Sequence, residues 1–252
     1  DPYGSAGGQL NIRGFGPDRV SLTFDGMPLN DTGNYAIYSN QQLDPELIEE
    51  INVNLGSTDV DSPTAAASGG TVNYRSIQGS DDFKVTMVGA AGDYDFFRLF
   101  GLVETGVFTP FGTKAWFSAS TTRNDNVFNN FGQIDKQQYN AKIYQPIGSN
   151  GDFISVAGHW NANRNNFFGS LPLRVDTDQG RVAGPNSSNR YPITKDERFY
   201  TIPACTLPAG GPGAQAAGTC GTLFDYRFNP SNTGNIRINS RFALTDSLTL
   251  TV

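Results

Sequence analysis

From Phe83 onward the sequence is written in twos. Apolar and polar residues alternate along seven stretches, Phe83–Ala90, Phe96–Thr105, Lys114–Arg123, Gln137–Pro146, Asp152–Asn163, Asn235–Leu244 and Ser247–Val252. Each approaches the roughly ten residues that a tilted strand needs to cross a bilayer, whereas strands of soluble sandwiches are nearer five or six. The alternation is clearest in the sixth stretch, where Ile236, Ile238, Phe242 and Leu244 share one face and Arg237, Asn239 and Arg241 the other. A cation at the bilayer midplane costs roughly 2 to 4 kcal/mol, so this strand has one tolerable orientation, with its arginines toward a wet interior. Slipping the register by one residue would put both arginines into lipid.

The connections alternate as well. The links at 147–151 and 245–246 are tight and that at 106–113 is short, whereas 124–136 and 164–234 are long and polar; only 92–95 is a brief exception. Outer-membrane barrels have short periplasmic turns and long extracellular loops, so the long connections are expected outside the cell. Seven strands cannot close around a domain, and an open sheet would leave its edges unsatisfied in lipid. The chain is therefore expected to be the middle of a longer protein.

Composition agrees with strands. Only 37% of the residues are hydrophobic, while 29 glycines and an aromatic content of 12% are high. No run approaches the roughly 18 consecutive apolar residues of a membrane helix, and the opening Asp1-Pro2-Tyr3 carries no signal-peptide pattern. A net charge of -6 with 18 dispersed Lys and Arg residues argues against nucleic acid as a partner. The two cysteines, Cys205 and Cys220, bracket a Gly/Pro/Ala-rich stretch in the long loop. They read most simply as a disulfide in an oxidising compartment, the alternative being two unpaired thiols.

Before Ser76 the pattern is different. Short apolar runs such as Val20–Phe24 and Ile51–Leu55 are separated by Gly, Asp and Pro turns. Asp44–Glu50 reads as a helix, with Asp44 as cap, Pro45 at its first position and acids near the positive end of its dipole. The expected organisation is a small mixed α/β domain over 1–76, a linker over 77–82 and antiparallel barrel strands over 83–252.

Three segments, LNIRGFGPDRVSLTFDGMPLND (10–31), LDPELIEEINVNLGS (43–57) and SGGTVNY (68–74), resemble in order and spacing the plug domain of TonB-dependent outer-membrane receptors. The resemblance covers about residues 5–76 by motif. It implies a plug inside a barrel of about 22 strands, no enzymatic activity, no cofactor, and import of a small cargo driven by the periplasmic protein TonB acting through a segment upstream of this chain. A siderophore-type metal chelate is the commonest such cargo, with cobalamin, nickel chelates and saccharides behind it. The plug tips at 16–19 and 31–38 would then face the outside, with Asp18, Arg19, Asn34, Tyr35 and Tyr38 as cargo contacts. A buried Arg13 would be costly unless paired, and in the family such plug arginines meet glutamates of the barrel wall. Where a second such arginine is usual this sequence has Leu55-Gly56-Ser57, so that half of the charge lock is expected to be missing or moved to Arg75.

Enzymatic arrangements find little support. The single histidine, His159, lies opposite Trp160 in its strand and is expected on the inner face as a polar wall residue; one histidine builds neither a His-based triad with a second base nor an HExxH site. The pairs Asp59/Asp61, Asp93/Asp95 and Asp176/Asp178 could hold Ca2+ but lack the spacing of an EF-hand, so they read as solvated loop acids. Gly14-Phe15-Gly16 does not continue into a dinucleotide fingerprint. An energised transporter and a non-transporting surface-binding protein remain, whereas a passive porin carries no plug.

Overall fold

The computed structural model describes residues 10–31, 37, 43–56, 67–125, 133–166 and 228–251. They form two sheets. A four-stranded sheet contains β1 (Val20–Phe24), β2 (Met27–Pro28), β3 (Ile48–Leu55) and β4 (Gly70–Ser76) in the order β2-β1-β4-β3. β1 and β4 are parallel, and the other two pairings are antiparallel.

Local chemistry explains this sheet. β1 and β2 pair Phe24 with Met27 across the two-residue link Asp25-Gly26, whose φ values of 46° and 81° are both positive. That is the type I′ hairpin, for which Asp-Gly is a preferred pair because its twist matches the strands. Every residue of the central strand β1 is buried, and Val20 and Leu22 form a core with Ile12, Ile37 and Val72. Gly70, at φ 134°, opens β4 so close to β3 that a Cβ there would lie 2.2 Å from the Asn54 carbonyl oxygen.

The helix expected over Asp44–Glu50 is not formed. Pro45–Leu47 make one 3-10 turn, and β3 begins immediately at Ile48. Pro45 does stand at the first position, but the Asp44 side chain does not cap the turn. Its carboxylate is drawn away by Arg98 and Ser120 of the second sheet, and pairing of Ile48–Leu55 with β4 takes the backbone that a helix would need.

The second sheet holds seven antiparallel strands in chain order: β5 (Phe83–Gly92), β6 (Phe96–Val107), β7 (Lys114–Asp125), β8 (Gln133–Ile147), β9 (Asp152–Asn166), β10 (Phe228–Thr245) and β11 (Leu248–Thr251). The strands expected from alternation are all present, several of them longer than the pattern indicated. Their faces differ sharply. Ile143, Val156 and Ile238 are exposed side by side on one face in continuous register. Ile236 and Leu244 are exposed there too, while Phe242 is half-buried. Trp160 covers Gly234 on the next strand, where a Cβ would meet its ring at 2.6 Å. On β8 the apolar positions of this face, Tyr139, Ala141, Ile143 and, past Gln145, Ile147, span about 27 Å along the strand. At a barrel tilt near 40° this is a band about 20 Å tall, of the order of the lipid-facing band of an outer-membrane barrel. Above Tyr139 the same face carries Gln137, Asp135 and Gln133.

Ile238 sits in the middle row of that band. Ile238→Arg is therefore expected to destabilise the membrane-inserted full-length protein by about 2 to 4 kcal/mol. Denaturant titration of the protein refolded into lipid vesicles measures it, and an unchanged midpoint would contradict the lipid-facing orientation of β10.

Candidate functional site

The register aligns the opposite face of the large sheet into rows that cross several strands. One row is Arg98, Thr122, Lys136, Asn163 and Ser231; the next is Phe100, Ser120, Gln138, Asn161 and Thr233. Below them come Leu102, Ser118, Asn140, His159 and Asn235, and then Glu104, Trp116, Lys142, Ala157 and Arg237. The small sheet and its flanking turns pack against these rows at two polar nodes.

The lower node is built on the Asp25-Gly26 turn. One Asp25 carboxylate oxygen accepts from the Ser76 N–H at 2.8 Å, and the other accepts from the Ser76 hydroxyl at 2.8 Å. The second oxygen also meets Arg237, with Nε at 3.3 Å and Nη2 at 3.2 Å. The two side chains are only 8% and 4% exposed, so neither charge could stand here unpaired. The Arg237 guanidinium lies over the Phe24 ring at 3.9 Å, a cation–π contact, and also donates to the Asn235 side chain. Asn239 donates to the Asp25 carbonyl at 2.8 Å, and Lys142 donates to the Ser76 hydroxyl at 2.9 Å. Thus β8 and β10 grip the β1–β2 turn and the end of β4.

The upper node lies at the end of β6 that begins at Phe96. Arg98 makes a two-pronged contact with Glu46, Nη1 to Oε1 at 2.7 Å and Nη2 to Oε2 at 2.8 Å, and reaches Asp44 at 3.0 Å. The other Asp44 oxygen accepts from the Ser120 hydroxyl at 2.7 Å. Burial opposes the charge of Glu46, yet the hydrogen bond from Arg98, a backbone hydrogen bond and the Arg98 charge outweigh it and hold its pKa below the ordinary glutamate value of 4.5. Between the nodes Leu47 packs with Phe100, Leu102 and Trp116, and the Trp116 indole donates to the Ile77 carbonyl at 3.0 Å. The link from β4 to β5 is pinned by Lys114 to Asp81 at 2.9 Å and by the Ser80 N–H to Glu104 at 2.8 Å.

The positions expected from the sequence fall elsewhere. Asp18 and Arg19 lie in the 3-10 turn Pro17–Arg19 that leads into β1, are exposed, and pair with each other at 3.5 Å. Asn34, Tyr35, Tyr38, Cys205, Cys220, Asp59, Asp61, Asp176 and Asp178 lie outside the described residues. Arg13 is exposed rather than buried, with its guanidinium against Gly56 at the end of β3, and among the described residues it makes no ion pair. Arg75 pairs with Glu50 of the neighbouring strand at 2.7 Å, so the charge lock to this wall is not moved to it. On these seven strands the pairs run from acids on the small domain, Asp25, Asp44 and Glu46, to arginines on the wall, Arg237 and Arg98. Strand parity in the sequence does place Arg98 opposite Phe97 and Leu99, but nothing in the sequence joined it to residues about fifty positions earlier. His159 is buried on the inner face with Nδ1 2.6 Å from Asn140 Oδ1. Asp93 and Asp95 flank the brief β5–β6 turn, and among the described residues no cluster of three or more metal-ligating side chains forms.

A small sheet docked by charge on the polar face of long, outwardly apolar antiparallel strands is the arrangement of a plugged barrel. The family model described as the TonB-dependent receptor plug domain matches residues 1–71. Residues 1–71 are a TonB-dependent receptor plug. The chain as a whole has the plug-and-barrel fold of those receptors. It is similar to the siderophore receptor PiuA of Acinetobacter baumannii at 16% identity and TM-score 0.65, over 98% of this chain and 30% of that one. The closed form of the ferric-catecholate import receptor Fiu of E. coli K12 matches at 14% identity and TM-score 0.66, over 98% and 30%. P. aeruginosa FpvA bound to a heterologous pyoverdine matches at 16% identity and TM-score 0.63, over 97% and 28%. The chain thus spans about 30% of the length of the first of these receptors. No curated protein matches it.

Removing one partner of the buried plug-to-wall pair should cost much more than removing both. Asp25→Asn strands Arg237 and is expected to destabilise the plug by about 3 to 5 kcal/mol, whereas Asp25→Asn with Arg237→Met should recover a large part of that loss. Hydrogen exchange of β1 and β4 in the full-length receptor reads the difference. The upper node should respond to acid. Because the Glu46 pKa is lowered in the folded state, its stabilisation is fully present above the unfolded value and is lost as pH falls through the lower folded one. Hydrogen exchange of residues 43–48 in the full-length receptor, corrected for its intrinsic pH dependence, should hold down to about pH 4.5 and rise below it. Glu46→Gln should remove that acid transition.

Proposed function

We propose that this chain forms the plug and adjoining wall of an outer-membrane receptor that binds a scarce nutrient, a siderophore-type metal chelate, and imports it in a TonB-energised step. One observation carries the reading: the plug is held on the barrel wall largely by ion pairs and hydrogen bonds, including Asp25–Arg237 and Glu46–Arg98. Contacts of this kind can be exchanged for others in a wet lumen, so the plug can be remodelled while the wall stays intact. The names of the similar structures, a siderophore receptor and a ferric-catecholate import receptor, point to the same cargo class.

In this reading the long connections lie outside the cell, Cys205 and Cys220 bridge the longest of them, and Asp18, Arg19, Asn34, Tyr35 and Tyr38 contact cargo. TonB acts through a segment upstream of the chain, and outer-membrane lipid surrounds the apolar band. A carbohydrate cargo is the second reading. It is favoured by the two uncharged rows of the inner face, where Gln138, Asn140 and Asn161 carry amide groups of the kind that hydroxyls prefer.

Uptake by a strain carrying the full-length receptor separates these readings. Rescue of growth under iron limitation that requires TonB is the expected result. Rescue only under carbohydrate limitation would select the second reading, and uptake that persists without TonB would contradict energised transport.

A further inference from the structure

The two nodes differ in what can reach them. At the lower node the Asp25 and Arg237 side chains are 8% and 4% exposed, and backbone groups take part in the bonding. At the upper node Arg98 is 16% and Glu46 23% exposed, with Asp44 behind them at 6%, and the contacts from Arg98 and Ser120 to the two acids are all between side chains. Arg98 is also the third residue of β6, at the end of the sheet that bears the long connections.

The geometry at Arg98 is that of carboxylate recognition. A planar guanidinium donates two parallel bonds to one carboxylate, and a neighbouring hydroxyl and a second acid complete the cluster. Lys136 stands in the same inward row two strands away, about 10 Å along the sheet, and interacts electrostatically with both Asp44 and Arg98. Two wall cations thus face two plug carboxylates.

We propose that Asp44 and Glu46 act as an internal anion that occupies the binding group Arg98, and that an anionic, carboxylate-bearing metal chelate arriving from the loop side displaces them. The inference rests on the receptor reading above and adds the cargo's charge. Its physical basis is that drawing the acids away with nothing in their place would strand a largely buried arginine, which is costly. Exchange of one carboxylate for another keeps Arg98 paired throughout, so an anion can release this part of the plug at little cost. An uncharged sugar offers no such exchange.

The test uses the full-length receptor in micelles, with ferric citrate as the polycarboxylate probe and an uncharged maltooligosaccharide at matched ionic strength as control. Ferric citrate should raise hydrogen exchange of residues 43–48, and the sugar should not. Glu46→Gln removes the competitor and should tighten ferric citrate binding by about tenfold, since an occluded fraction of sites becomes available. Arg98→Gln should weaken binding, and Arg98→Lys, which keeps the charge but loses the fork, should fall between Arg98→Gln and the wild type. A purely structural role for the pair would move Glu46→Gln and Arg98→Gln in the same direction. That result, absence of ferric citrate binding to both wild type and Glu46→Gln, or exchange indifferent to the probe, would overturn the inference. TonB-dependent uptake would survive such a failure, whereas loss of the receptor reading would appear as no TonB-dependent uptake at all.

Discussion

A charge buried between the plug and the barrel wall has little water to solvate it, so it must find a partner or not be there. Much of the docking of the two sheets follows from this constraint. Arg237 meets Asp25, Arg98 meets Asp44 and Glu46, Lys142 meets the Ser76 hydroxyl, and Glu104 is taken by the Ser80 N–H and by Lys84 at 3.6 Å. These contacts orient the plug. The β1–β2 turn and the end of β4 must face β8 and β10, and the 3-10 turn before β3 must face β6 and β7. The beginnings of β1 and β4, and with them Arg13 at Gly56, then lie at the far end of the plug sheet, away from this wall.

Local and long-range effects meet at Asp25. As the first residue of a type I′ turn it needs a positive φ, which Asp tolerates better than most residues. Its carboxylate is thereby left free of the hairpin and available to Ser76 and Arg237. The same short side chain closes a local turn and fixes a contact 212 residues away in sequence. At Asp44 the competition ran the other way. A cap for a local helix was available, but pairing with a buried guanidinium is the stronger demand, and the helix shrank to a single turn.

This contrast explains what could be read from the sequence. Strands β5 to β11 follow from period-2 alternation, a local property that the lipid and the lumen impose on every residue in turn. The parity of Arg237 and Ile238 was legible for that reason, and so was His159 opposite Trp160. The helix at Asp44–Glu50 was misread because its cap and proline signals are equally good for a 3-10 turn, and only tertiary pairing decides between them. The partners of Arg98 and Arg237 were not legible, since nothing local links Glu46 to Arg98 or Asp25 to Arg237. The family resemblance supplied the kind of contact, plug to wall by charge, but not these pairs, in which the acids sit on the plug and the arginines on the wall.

That polarity has a physical consequence for the lumen. If the plug carried the arginines and the wall the acids, moving the plug would expose a row of carboxylates that repels an anion. Here Asp25, Asp44 and Glu46 belong to the plug. When Asp44 and Glu46 leave, the wall rows retain Arg98 and Lys136 near the loop side and Lys142 and Arg237 below, with Glu104 as the acid among these four rows. In the proposed reading, this part of the wall would become more positive as the acids leave it, and low-dielectric walls concentrate such a field. The amide-bearing rows between the two cationic levels, Gln138 with Asn161 and Asn140 with His159, supply hydrogen bonds without a countercharge that would hold an anion in place. Under the displacement proposed above, an anion that takes the place of Asp44 and Glu46 at Arg98 would meet neutral polar wall before the second cationic level at Lys142 and Arg237.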